Sequence, residues 1–161
     1  MKRFLVPVFA ALALVAVAGS GALAMSSGGS SSSSTTEDSS DAAFQEGRKL
    51  VKAKNFKAAI PKLKKAIGAD PQNADAQNLL GYAYRMTGDY ESALTHYQEA
   101  LAIDPNHADA HEYIGEAYLE LDDPAKAEEH LAALEGICPS GCEQRDALAE
   151  AVAAYKASHG G

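Results

Sequence analysis

Two cysteines near the C-terminal end, Cys138 and Cys142, carry the most distinctive chemistry of the sequence. Two thiols at this spacing suit a disulfide, a redox-active dithiol or a thiolate pair that binds a soft metal. The intervening Pro139-Ser140-Gly141 can turn tightly enough to bring the two Cβ atoms together. A metal site would need a further ligand, for which His130 is the nearest histidine. Redox dithiols usually have two residues between the cysteines, on a strand-to-helix junction.

The N-terminal sequence helps to choose among these three roles of the cysteines. Met1-Lys2-Arg3 precedes an apolar run, Phe4 to Val17, which is followed by Ala22-Leu23-Ala24. A basic start, an apolar stretch and a small-x-small tripeptide are typical of a secretory signal peptide. We therefore predict a signal peptide over residues 1–24, with cleavage between Ala24 and Met25. The alternative, an uncleaved membrane anchor, needs about 20 apolar residues, and this run is shorter and contains Pro7.

Export places the cysteines in an oxidising compartment, the periplasm or the medium, where a disulfide is favoured. We predict a structural disulfide between Cys138 and Cys142 that fixes how the following helix docks. Closing so short a loop contributes about 2 kcal/mol or less to stability. Metal binding and redox activity of the same pair stay open as alternatives.

Catalytic motifs are not found in the sequence. It has no phosphate-binding loop, no nucleophile elbow and no H-E-x-x-H zinc motif. His107 and His111 are four residues apart, as in a metal pair on one helix face, but His107 falls in a turn. We interpret each as a partly exposed turn residue. The sequence thus predicts a protein that is not an enzyme, with no cofactor and no metal.

A period of thirty-four residues organises the remainder of the chain. Three positions recur in the same residue type at this interval: Gly47, Gly81 and Gly115; Ala59, Ala93 and Ala127; Pro71, Pro105 and Pro139. A fixed period of this length indicates a stacked repeat array. These residues resemble those of the tetratricopeptide repeat (TPR), from about residue 41 to 140. The resemblance implies an all-α solenoid of helical hairpins, with repeats at about 40–73, 74–107 and 108–141.

Local signals place the helices within these repeats. We expect Asp75 to cap a helix that ends near Met86, and Gly88 to adopt the left-handed conformation after it. Asp89 should cap the next helix, and Asp123-Pro124 should begin the equivalent helix of the third repeat. Pro61 should lie near the first turn of its helix, where a missing N–H costs least.

The segments flanking the repeats have contrasting compositions. Residues 25–40 are almost entirely Ser, Gly and Thr, which predicts a disordered linker. Residues 142–157 carry Leu148, Val152 and Tyr155 on one helical face. We predict that they form a capping helix over the end of the array, which makes seven helices in all.

The charge is unevenly distributed. The net charge of −8 argues against general nucleic-acid binding. Residues 41–70 carry eight basic and three acidic side chains, a net of +5. Residues 71–161 carry four basic and seventeen acidic ones, a net of −13. The array should therefore be basic at one end and acidic at the other.

In the TPR family, the first helix of each repeat lines a concave groove. Position by position, the resemblance assigns these residues to a peptide-binding groove: Phe44, Arg48, Val51, Lys52, Asn78, Tyr82, Arg85, Met86, Glu112, Glu116, Leu119 and Glu120. The positions that hold a C-terminal carboxylate in chaperone adaptors are here Phe44, Arg48, Leu79, Asp109 and Tyr113. Only Arg48 is basic, so that clamp is not expected.

These observations predict a non-catalytic protein-interaction scaffold of the cell envelope, periplasmic or secreted. Its groove would hold a peptide or protein segment of mixed charge. One alternative is a metal or thiol carrier that uses Cys138 and Cys142. Another is a structural repeat protein that self-assembles through its oppositely charged ends. Membrane contact is expected only if residues 1–24 are retained as an anchor.

Overall fold

A computed structural model describes the backbone of residues 34–160 and the side chains of residues 41–160. The predicted signal peptide and most of the predicted linker lie outside the described residues. Residues 34–160 form seven α-helices: α1 (Ser34–Lys52), α2 (Phe56–Ala69), α3 (Ala74–Arg85), α4 (Tyr90–Ile103), α5 (Ala108–Glu120), α6 (Pro124–Ile137) and α7 (Glu143–His159). Within this range there is no strand, and no helix is long and apolar enough to span a membrane.

The helices pair in chain order as three hairpins, α1–α2, α3–α4 and α5–α6. Each hairpin packs on the next, and α7 packs against both helices of the last one. The first helices of the hairpins, α1, α3 and α5, also contact each other in sequence. This confirms the predicted all-α solenoid of three repeats and a terminal helix.

The core of the array is built from small and medium side chains. Ala59, Ala93 and Ala127 are all completely buried, as the thirty-four-residue period requires of contact positions. Tyr97 is the largest fully buried side chain, and Leu63 holds the equivalent position in the first repeat. Alanine at these positions allows the helix axes to lie close together. In a repeat array, each hairpin covers its apolar surface by packing on its neighbours.

The repeated glycines allow the closest helix contacts. A Cβ at Gly81 would lie 2.7 Å from a ring carbon of Tyr97, which confirms close approach within the second hairpin. Gly47 meets Leu63 of the first hairpin in the same way. In the third repeat the partner changes, because a Cβ at Gly115 would lie 2.5 Å from Leu148 of α7. A side chain of the capping helix therefore makes the contact at Gly115 that the second helix of the hairpin makes in the first two repeats.

Two of the three helix N-caps predicted from the sequence are confirmed. The Asp89 carboxylate accepts a hydrogen bond from the Ser92 N–H (3.1 Å), and Asp123 caps α6 ahead of Pro124. The prediction that Asp75 caps α3 is wrong. Asn73 is the cap, and its side chain accepts from the Ala76 N–H (2.8 Å). Asp75 is already inside the helix, and its carboxylate contacts the His107 ring instead.

The turn inside each hairpin uses the left-handed conformation at the same repeat position. Gly88 has φ 85°, as predicted, and Lys54 and Asp122 have φ 57° and 64°. The three residues are thirty-four apart, but only the second repeat has glycine there. The other two therefore adopt a conformation that residues with a Cβ rarely take.

Two helix boundaries differ from expectation. The helix α1 begins at Ser34, so it includes residues 34–40, which composition assigned to the linker. Extending an existing helix costs little because each added residue forms one more hydrogen bond. Pro61 is the sixth residue of α2, in its second turn rather than its first. Its missing N–H removes the bond that would go to the Lys57 carbonyl.

Candidate functional site

The side chains of α1, α3 and α5 form one continuous face, which we call the groove. Its larger cavity, of about 360 Å³, is lined by Arg48, Val51, Lys52, Lys54, Leu79, Tyr82 and Tyr113, and we call it the basic pocket. The smaller one, of about 180 Å³, is lined by Phe44, Arg48, Asp75, Asn78, Leu79 and Asp109. Six residues assigned to the groove from sequence thus line these cavities.

Aromatic rings from successive repeats form the floor of the basic pocket. Tyr82 contacts Phe56 edge-on (centroids 5.7 Å apart) and lies 4.9 Å from the ring of Tyr113. Burial raises the pKa of Tyr113 well above its usual range, with a further contribution from Asp109 and Glu112. The Tyr113 hydroxyl therefore stays protonated and can donate a hydrogen bond at any physiological pH.

The rim of the basic pocket carries three cations, Arg48, Lys52 and Lys54, all exposed. Arg48 donates a hydrogen bond to the Gln45 side chain and lies over the Phe44 ring. Among residues 41–160, no carboxylate oxygen lies within 4 Å of these three side chains. The sequence analysis assigned Arg48 and Lys52 to the groove but missed Lys54, which lies in the turn after α1 and lines the pocket.

Arg85 lies in the wall of the groove, but its charge is neutralised within the protein. Its side chain is 8% exposed, and its guanidinium lies over the rings of Tyr82 and Tyr113 (5.4 and 5.8 Å). It pairs with Glu116 (2.6 Å) and Glu120 (2.9 Å) of α5. Burial acts to lower the pKa of Arg85, but Glu116, Tyr97 and Glu120 outweigh it and raise that pKa. Arg85 thus joins the second and third repeats.

The opposite side of the groove is acidic. Glu112 is half-buried, and burial, followed by the charges of Glu116, Asp109 and Glu143, raises its pKa to about 7. The side-chain amide of Gln144 donates to Asp109 (2.7 Å), so α7 contributes to this end of the groove. At neutral pH the Glu112 carboxyl is accordingly divided between its charged and neutral forms.

The remaining groove residues predicted from sequence lie in different surroundings. Phe44, Val51 and Asn78 are buried and present only an edge to the cavities. Leu119 packs on the apolar cluster beneath α6 and α7. Met86 is 45% exposed and lines a neighbouring depression rather than the basic pocket. The accessible polar contacts of the basic pocket are thus concentrated on α1 and the turn that follows it.

The cysteine pair lies at the junction between α6 and α7. Cys138 follows the last residue of α6 and Cys142 precedes the first of α7. Their Cα atoms are 6.0 Å apart and the sulfur atoms are at disulfide distance. His130, the candidate third metal ligand, instead contacts His111, with their Nδ1 atoms 3.0 Å apart.

His107 lies in the turn before α5, as predicted, but His111 is inside α5, and the expected partial exposure is wrong because both residues are buried. Nδ1 of His107 accepts from the Ala110 N–H at the start of α5, so its Nε2–H donates to Asp75 (3.0 Å). Nε2–H of His111 donates to the Pro105 carbonyl (3.1 Å), which leaves its Nδ1 to accept from His130. The two residues therefore bind different partners and do not form a metal pair.

Sequence comparison identifies the repeats. Two models of the tetratricopeptide repeat match residues 44–108 and 84–137. No curated protein matches the chain in sequence.

Solved structures of this fold are similar to the chain. MamA (residues 41 to the end) from Desulfovibrio magneticus RS-1 shares 31% identity at a TM-score of 0.59, over 62% of this chain and 56% of that one. The chain spans a little over half the length of this MamA chain and of a second MamA from RS-1.

Two more distant structures share the fold alone. The first TPR of Spaghetti (RPAP3), bound to the HSP90 peptide SRMEEVD, has 20% identity and a TM-score of 0.65, over 73% of this chain and 93% of that one. The TPR2B domain of yeast Sti1, in complex with pHsp70, has 18% identity and a TM-score of 0.69, over 75% and 98%.

Proposed function

The chain belongs to the tetratricopeptide repeat family, and on that premise we propose that it is a non-catalytic scaffold that binds a segment of a partner protein in its groove. The observation that carries the proposal is the basic pocket, an apolar cavity of about 360 Å³ whose rim has three exposed cations. Two structures of the same fold hold an HSP90 peptide and pHsp70, respectively, which supports segment binding by this architecture.

The chemistry of the groove favours binding over catalysis. Neither cavity pairs a Ser, Thr or Cys nucleophile with a histidine base. Arg85 is buried, lies over two tyrosine rings and is paired with two glutamates, so its charge is not available to a ligand. The free polar groups lie at the rim of an apolar floor, an arrangement that suits recognition of a side chain and its neighbours.

We place this function in the cell envelope. The support is the signal-like composition of residues 1–24 and the two cysteines at disulfide distance, since disulfides persist in oxidising compartments. Cell fractionation tests the location. Recovery of the protein with a periplasmic marker supports it, and recovery with a cytoplasmic marker contradicts it.

Capture of partners from the native envelope tests the binding function. The full chain is compared with an Arg48→Glu/Lys52→Glu variant, which reverses two charges of the basic pocket. Arg85→Glu is avoided because it would place a third carboxylate beside Glu116 and Glu120 and unfold the site. The matched control is Lys49→Glu/Lys65→Glu, two exposed lysines that line neither cavity. A partner lost only with the pocket variant supports the proposal, and one retained by all three forms contradicts it.

Self-assembly is the second candidate. The charge asymmetry, +5 for residues 41–70 and −13 for residues 71–161, would draw the two ends of different copies together. Sedimentation velocity at low and high salt tests it, because screened charges should release the monomer. A metal-carrier function of the cysteines has less support, since His130 contacts His111 rather than the sulfur atoms.

A further inference from the structure

The basic pocket combines two surfaces that select for different features of a ligand. Its floor is made by Val51, Leu79 and the rings of Tyr82 and Tyr113, which are apolar or aromatic. Burial of an aliphatic or aromatic side chain on such a floor is favourable by the hydrophobic effect. The rim adds Arg48, Lys52 and Lys54, which face no carboxylate within 4 Å among residues 41–160. Their charges are therefore available to a ligand.

The cationic edge continues beyond the pocket. A neighbouring depression of about 450 Å³ shares Lys54 and is also lined by Lys57 and Met86. Met86 is one of the two large apolar side chains most exposed in the described part of the chain. Four basic side chains thus run from α1 through the following turn to the start of α2, and the exposed thioether at the end of α3 lies beside them. This is a larger interface than a single side chain needs.

The spacing of an extended chain matches this arrangement. Successive side chains of an extended segment point to opposite sides, and residues two apart are separated by about 7 Å. When one side chain enters the pocket, an acidic residue two positions away on the α1 side points to the same face and can reach the cations there. Each such contact is charge-assisted and so stronger than a hydrogen bond between neutral groups.

The acidic side of the groove excludes long polyanions. Glu112, Glu116 and Asp109 lie on α5, which also supplies Tyr113 to the pocket floor. The negative charge of a nucleic acid or an anionic membrane is spread over its whole surface, so it would lie against these carboxylates as well as against the cations. A protein segment with a few acidic residues can confine its charge to the α1 side of the groove.

We propose that the basic pocket receives an aliphatic or aromatic side chain from an acidic segment of a partner protein, with the acidic residues on Arg48, Lys52, Lys54 and Lys57. This inference rests on the proposed function, because it names the kind of segment that the groove binds. It also gives the segment a direction, since its acidic part lies toward α1 and the remainder toward α5.

Selection from a display library of random twelve-residue peptides tests the inference, with the full chain as bait. The baits for comparison are Lys52→Glu/Lys54→Glu, in the pocket, and Lys49→Glu/Lys65→Glu, outside both cavities, with folding checked by circular dichroism. We expect enriched peptides to be acidic around an apolar residue. Their affinity should fall by about tenfold or more, or about 1.4 kcal/mol, with the pocket variant and stay unchanged with the control.

Changes in an enriched peptide then separate the two features of the pocket. Replacing its apolar residue by glycine should weaken binding about tenfold, and replacing its glutamates by lysine should abolish it. Enrichment of basic or uncharged peptides that still depend on the groove would overturn this inference and leave the proposed function intact. If no bait enriches groove-dependent peptides and partner capture is insensitive to the groove variants, both fail.

Discussion

His111 of α5 and His130 of α6 face each other inside the third hairpin, with their Nδ1 atoms 3.0 Å apart. One repeat earlier, the same positions hold Gln77 and His96, whose side chains are 2.9 Å apart. In both repeats a tyrosine at the equivalent position, Tyr84 or Tyr118, stacks on the second histidine. The second and third hairpins are thus joined internally by the same contact, made of different residues.

This histidine pair should make the protein less stable in mild acid. Burial, and then the neighbouring His111, lowers the pKa of His130 to about 4, against about 6.5 in the unfolded chain. The unfolded chain therefore takes up the proton first. The contribution is complete above pH 6.5 and is lost as the pH falls from 6.5 toward 4. We expect this one group to contribute a loss of about 1–2 kcal/mol in the free energy of unfolding, because the ring is only partly buried. Glu112, whose raised pKa acts in the opposite direction, contributes equally to the native protein and to a His130 variant.

Urea unfolding at pH 7 and pH 4.5 measures this effect. His130→Gln, which cannot titrate, should lose less stability between the two pH values than the native protein does. His159→Gln, at an exposed position, is the control and should lose as much as the native protein. Equal losses for the native protein and His130→Gln would contradict the assignment.

Replacing Lys54 by glycine should stabilise the fold. Lys54 has φ 57°, and glycine adopts such angles without the steric cost of a Cβ. We expect a gain of about 0.5–1 kcal/mol, measured by urea unfolding. Asp122→Gly should gain less, because the Tyr155 hydroxyl donates a hydrogen bond to that carboxylate. Lys65→Gly, within α2, is the control and should lose about 1 kcal/mol.

Local patterns predicted most of the architecture but not the contacts between repeats. The period of prolines and glycines gave three hairpins, because each marks a turn or a close approach that involves nearby residues. The period does not predict the partner of Gly115. It would place a residue of α6 in contact with this glycine, whereas the observed partner is Leu148 of α7. Contacts of this kind depend on how α7 docks, which no local pattern encodes.

Local patterns also failed to predict which charges of the groove are paired within the protein. Arg85 follows the family pattern of a groove residue, yet it is buried and paired with Glu116 and Glu120. Residues about one period apart lie side by side along a solenoid, so opposite charges at that interval were the available signal. Lys54 was missed for a different reason. It lies in the turn after α1, outside the first helix of the repeat, where the family pattern places groove residues.

Loss of Arg85 should destabilise the junction between the second and third repeats. Arg85→Ala would leave the Glu116 and Glu120 carboxylates together without their counter-charge. We expect a cost of about 2–4 kcal/mol, below the largest values for buried pairs because Glu120 is partly exposed. Adding Glu116→Gln should recover part of it, and the exposed Arg48→Ala should cost about 0.5 kcal/mol or less. A similar cost for Arg85→Ala and Arg48→Ala would show that the pairs contribute little.

The repeated glycines should differ sharply from the other helical ones. Gly81→Ala should cost about 1–3 kcal/mol, because the new Cβ would meet the Tyr97 ring at 2.7 Å and the Ala93 carbonyl at 3.0 Å. Gly115→Ala should push away Leu148 and loosen α7, which hydrogen exchange of residues 143–159 would detect. Gly136→Ala is the control, since nothing lies within 4 Å of the added Cβ. It should leave stability unchanged or raise it by about 0.5–1 kcal/mol. Equal effects at Gly81 and Gly136 would argue against close packing.

Removal of the cysteine pair should weaken the docking of α7 without releasing it. The double variant Cys138→Ser/Cys142→Ser loses the link between α6 and α7, but Leu148 and Val152 keep α7 on the core at 0% and 5% exposure. We expect a loss of about 2 kcal/mol or less, as for other short disulfide loops. Hydrogen exchange should quicken in residues 143–159 and stay constant in α3 and α4. Reduction of the native protein should have the same effect and leave the double variant unchanged. If exchange quickens across the whole array, or if reduction affects both forms equally, the pair does not act locally on α7.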